Sequence, residues 1–226
     1  MVVPRRRIFA LPPGGALYSG PDGTLASIAL WLHWLVIARS AAAQAVMMRP
    51  SDAAIDAFSA RIAGIERQLP EDANRGSEEM HQAMVAISAA AHSLDGFYGS
   101  VVDLVKPPRS AAKRERQILE VLKLGFSIGR RAHVWLNEVD WLFGVRDDIV
   151  HHGERLRPAV QSRVTSETVV FAGPEAFDLS SDSATRASDL ATTILRECVV
   201  RPKEPLREWA ERASQLMSNT LGPPDN

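Results

Sequence analysis

The chain has 226 residues, 46% hydrophobic and 23% charged, a balance that excludes wholesale disorder and suits one well-buried core. A formal net charge of −1 excludes nucleic-acid binding driven by overall charge, so such binding requires a local cluster of cations. A lone cysteine, Cys198, excludes an internal disulfide framework and a cysteine zinc cluster, as suits a reducing cytoplasm.

Residues 1–23 read as a flexible tail. The start is basic through Arg7, like the head of a secretion signal. The stretch that follows is broken by Pro12-Pro13 and is too short for the apolar part of such a signal. A first helix is predicted over 24–48, with Thr24 as N-cap and Arg49-Pro50 closing it. Leu25, Ile28, Leu32, Leu35 and Val36 recur at helical spacing, and Trp31 and Trp34 widen that face for core or dimer packing. His33 and Arg39 interrupt the run, which reads as a buried helix. A membrane span needs ~20 nearly unbroken apolar residues.

A second helix opens at Ser51-Asp52 and carries an apolar stripe of Ile55, Phe58, Ile62, Ile65 and Leu69 before Pro70. After a polar connection over 71–76, a third helix starts at Ser77. Met80, Met84, Ile87, Ala91, Leu94, Tyr98, Val101 and Val105 step along it by threes and fours to Pro107-Pro108. It also carries His92 and Asp95, three apart and therefore neighbours on one side; they read as a solvated or locally hydrogen-bonded pair, or as polar support for a site elsewhere. A fourth helix over 110–129 has a charged first half. Its Gly125 and Gly129 either admit a close neighbour or mark a bend. The fifth helix, 130–152, buries Leu136, Val139, Leu142 or Phe143, and Ile149 or Val150, and Gly153 suits its end.

Past Pro158 the pattern turns β-branched and partly alternating, through Val160, Val164 and Thr168 to Phe171, which predicts a short hairpin ended by Gly173-Pro174. Helical spacing resumes over 182–200, with Cys198 as a buried, inert thiol, and Pro205 opens a last helix to about Leu221. The expectation is an all-α helical bundle with a small β-hairpin insertion after the fifth helix, residues 24–222 forming one domain.

The chemistry gathers at the end of the fifth helix, in Arg146-Asp147-Asp148-Ile149-Val150-His151-His152-Gly153. Arginine offers a planar fork of donors for a phosphoryl group. Histidine titrates near neutral pH and can move a proton. Asp147 lies four residues before His151, so on a continuous helix its carboxylate would share a face with the ring and orient it.

This octapeptide resembles the Arg-polar-x-x-x-His signature of the HEPN family of all-α domains, many of them metal-independent ribonucleases of toxin and anti-phage systems. Arg146 matches the family arginine, Asp147 the polar position and His151 the histidine, over a likeness covering residues 77–154. The resemblance implies a cytoplasmic endoribonuclease that needs no cofactor, acting on RNA at the interface of a homodimer, with an antitoxin protein as a partner. It implies 2′,3′-cyclic phosphate products and a polar residue from an earlier helix, here His92 or Asp95, near the pair. His152 fits a looser spacing, but adjacent positions point roughly 100° apart, so only one of the two histidines faces a cleft. A metal held by His151-His152 is a weaker reading, since neighbouring residues rarely ligate one ion together. RNA contacts would fall to Arg130, Arg131, Arg155 and Arg157, with Lys113, Arg114 and Arg116 as a further cluster.

Two plainer readings stand beside this one. Arg146 can pair with Asp147, Asp148 or Glu154 as an ion network at a helix end, while His151 caps the last carbonyls. A HEPN-like domain can also serve as a non-catalytic nucleic-acid-binding, nucleotide-binding or protein-interaction module.

Overall fold

A computed structural model describes residues 8–11, 15–19, 25–108, 110–152, 156–158 and 177–222. These residues are mostly helical, in keeping with an all-α class. The helices are α1 (Leu30–Met47), α2 (Asp52–Ile62), α3 (Arg75–Val105), α4 (Arg114–Gly125), α5 (Arg131–Asp147), α6 (Ser181–Val199) and α7 (Arg207–Leu221). A 3-10 turn, Glu71–Asn74, leads into α3, and a π-turn, Asp148–His152, continues α5. Among the described residues no helix is long and apolar enough to cross a membrane.

Several boundaries differ from those the spacing predicts. The stretch Leu25–Ala29 is a strand, β3, and α1 begins only at Leu30. It pairs antiparallel with β2 (Gly15–Ser19), which pairs in turn with β1 (Ile8–Leu11), so both strands fall in the stretch expected to be a tail. Helix α2 stops at Ile62 and not near Leu69. Gly64 takes a left-handed conformation, φ 77°, and the Ile65 N–H returns to the Ala60 carbonyl at 2.8 Å, a glycine-terminated helix end. The hairpin expected within 160–171 lies outside the described residues. The strands seen nearby, β4 (Leu156–Pro158) and β5 (Phe177–Leu179), pair with each other in parallel.

The chain divides into two compact units. The first comprises Met1–Val36, Ala91–Asp140 and Leu190–Asn226. Its centre is aromatic: the Phe97 ring meets Trp31 edge-on at 5.3 Å, Trp209 edge-on at 5.1 Å and Phe126 at 5.7 Å. Edge-to-face contact of this kind is the favoured packing of aromatic rings. Two connections cross here, with the Ser127 N–H donating to the Arg201 carbonyl at 2.7 Å and the Lys203 N–H to that of Gly125 at 2.8 Å. Trp31 is buried, as core packing predicts, whereas Trp34 is more than a third exposed beside His92, their rings 5.0 Å apart.

The second unit comprises Ile37–Ala90 and Trp141–Asp189. Helix α2 turns Ala54, Ala57 and Ala60 inward, so its buried side is the small-residue face. Ile62 and Ile65 of the predicted stripe are each 55% exposed. Ser51 caps α2, its Oγ accepting the Ala54 N–H at 3.2 Å. The fully buried Glu79 carboxylate accepts the Ser181 N–H at 2.8 Å, at the start of α6. A carboxylate suits that position, because the unpaired N–H groups of a helix start carry partial positive charge.

Candidate functional site

The motif occupies the end of α5 and the π-turn, in the second unit. Leu142, Val145 and Asp148 step by threes along the buried side of the helix. That spacing fixes which residues turn outward: Asp147, Val150 and His151 are all exposed. Arg146 is intermediate, its side chain 24% exposed, with the guanidinium carbon 5.2 Å from the Phe143 ring centroid and Nε 3.2 Å from Asp147 Oδ1. An arginine so placed presents part of its fork to solvent while its stem and one face lie on apolar surface.

The helix geometry departs from the regular α-helix assumed in pairing Asp147 with His151 four residues on. The α-helix ends at Asp147, and the next five residues follow π geometry. The contact the carboxylate of Asp147 makes with the motif arginine is the ion pair anticipated as the plainer alternative. The pair is more than half exposed on the Asp147 side, so its contribution to stability is small.

Neighbouring residues add aromatic and polar surface that spacing did not single out. The Arg186 guanidinium lies 3.9 Å from the Trp141 ring centroid, within cation–π range. A Cβ on Gly144 would sit 3.8 Å from Phe177 Cζ, which places β5 against α5 two residues before Arg146. Asp148 is fully buried. Its register with Leu142 and Val145 is the one signal for this in the sequence.

The other proposed residues fall as follows. His92 and Asp95 belong to the first unit, whereas Arg146, Asp147 and His151 belong to the second. Asp95 accepts a hydrogen bond from Arg114 Nε at 2.5 Å, and the Arg114 guanidinium lies 3.9 Å over the Tyr98 ring. Arg114 is thus engaged locally. Arg130 and Arg131 are exposed, and Arg131 forms an ion pair with Glu197 that raises its pKa further. Lys113 and Arg116 are exposed. Arg155 lies outside the described residues, and Arg157 falls in β4. His152 falls in the π-turn. Among the described residues no group of three or more His, Cys, Asp or Glu side chains is arranged to hold a metal ion.

No known family model, curated protein or solved structure matches this chain.

Proposed function

We propose that this chain is a HEPN-like, metal-independent endoribonuclease of a toxin or phage-defence type, working as a homodimer on RNA. The observation that carries the reading is an exposed imidazole, His151, and a partly exposed guanidinium, Arg146, on one helix end. In this reading the 2′-hydroxyl attacks the adjacent phosphorus and the 5′-oxygen leaves, giving a 2′,3′-cyclic phosphate. His151 moves a proton at one of those two oxygens. The Arg146 fork stabilises the negative charge that builds on the phosphate oxygens. One chain supplies a single such pair, which is sparse for base, acid and charge stabilisation together, so the second copy supplies another.

The test is RNA cleavage in the presence of EDTA. Arg146→Ala should lower the rate by about 10²–10³-fold and His151→Ala by about 10²–10⁴-fold, with the circular dichroism spectrum unchanged. RNA left intact by the wild-type chain would end the enzymatic reading. Overproduction should slow growth, either substitution should relieve it, and a cognate antitoxin should do the same.

A second reading is favoured by one specific contact. Arg146 is already paired with Asp147 at 3.2 Å, as expected of a helix-end ion pair in a non-catalytic RNA-binding, nucleotide-binding or protein-interaction module. Such a module would retain RNA without cutting it, with affinity falling steeply as salt rises.

A further inference from the structure

The two side chains proposed to do chemistry stand five positions apart, a poor spacing for a regular α-helix. Five steps of roughly 100° leave such residues roughly 140° apart around the axis. The helix changes its winding at this point: from Asp148 to His152 it is a π-turn. Hydrogen bonds in a π-turn join residues five apart, so each turn takes more residues and positions five apart close to roughly a right angle or less. We propose that this π-turn swings His151 toward the side of the helix that carries Arg146, and that Asp148 is the positioning residue that anchors the turn. The proposal rests on the Arg146/His151 reading and names what assembles that pair.

Three observations meet at Asp148. It is the first residue of the π-turn. It is fully buried, in register with the inward-facing Leu142 and Val145. The residues around it that lead to the imidazole, Asp147, Val150 and His151, are exposed. A carboxylate persists in a protein interior only where it is hydrogen-bonded or paired. Asp148, which is engaged by an interaction of its own, therefore ties the start of the wide turn into the second unit while the outer positions face solvent. An apolar residue there would bury as well, but would not fix hydrogen-bonding direction, and the helix could wind on in α geometry and carry His151 away from Arg146.

Zinc binding tests this without RNA. In the full chain, Arg146→His combined with His152→Ala leaves one histidine at each of the two positions. Two imidazoles on one side of a helical turn bind zinc together. Zn²⁺ should bind this double variant about 10-fold or more tighter than it binds His152→Ala alone. Adding His151→Ala should remove the gain. Adding Asp148→Ala should remove it too, whereas Asp148→Asn, which keeps the shape and one acceptor oxygen, should retain most of it. If Asp148→Ala fails to fold, Asp148→Ser replaces it with the same expectation. Zinc binding no tighter than in the single variant overturns the role of the π-turn, and a gain that survives loss of the Asp148 side chain overturns the role of Asp148. Uncut RNA overturns the ribonuclease reading alone, and an absent zinc gain overturns this inference alone.

Discussion

At Gly125 a single methyl group decides whether two connections can meet. A Cβ there would lie 2.5 Å from Leu206 Cδ1 and 3.0 Å from Val105 Cγ2, and Leu206 is fully buried. Gly125→Ala should therefore destabilise the protein by about 1–3 kcal/mol in urea melts, although alanine is the better helix former by about 1 kcal/mol. Gly129 differs. A Cβ there meets open space, but its φ of 55° is left-handed, so Gly129→Ala should cost about 1–2 kcal/mol through backbone strain. Spacing alone offered both explanations for both glycines, and the structure gives one to each. The motif was legible in the same partial way. Arg146 and His151 were identifiable by chemistry, and the Arg146–Asp147 ion pair was one of the stated alternatives. Asp148 was legible only as a possible ion-pair partner of Arg146, because burial of a carboxylate is decided by packing, which local chemistry does not reveal.

The elements show most clearly what periodicity encodes and what it omits. Helix α2 is fixed at its start by two side chains, Ser51 Oγ on the Ala54 N–H and Asp72 Oδ2 on the Ser51 N–H at 2.9 Å. Ser51→Ala should cost about 1 kcal/mol through the lost cap. The bond from the Ser51 N–H is the main cause holding the Asp72 carboxyl below its ordinary value of 3.8. A folded value below the unfolded one adds stability that is full above pH 3.8 and fades as pH falls through the folded value. Asp72→Asn should therefore lower the melting temperature at neutral pH and leave it almost unchanged in strong acid. Ser51 and Asp52 were readable as a helix start because a cap is local chemistry. The far end of α2 was not, since Ile65 and Leu69 continue the helical period and only the left-handed Gly64 shows where the chain turns away. The stripe through Ile62 and Ile65 misled for another reason: alanines let helices approach closely, and here the alanine face was the one buried. Strand β3 was missed because Leu25 and Ile28 also fit a helix, and its pairing partner β2 lies elsewhere in the chain. The π-turn leaves no mark in apolar spacing at all.

For the whole molecule, the mostly helical class followed from period alone, because long stretches such as 77–105 admit no other reading. Division into two compact units did not follow, since it depends on which distant segments touch. The near-neutral charge also takes structural form: Asp95 and Glu197 engage Arg114 and Arg131, two of the cations named as candidate contacts for a polyanion. Near Glu197, in the first unit, sits Cys198, fully buried. Burial first, and the neighbouring Glu197 charge second, push its thiol far above the ordinary 9.0, so almost no thiolate exists at neutral pH. Iodoacetamide should label the native protein only slowly and modify it rapidly and fully in denaturant, as read by intact mass. With one sulfhydryl in every molecule, each alkylated chain marks a single opening of that interior, so the rate of labelling in native buffer times how often the first unit breathes.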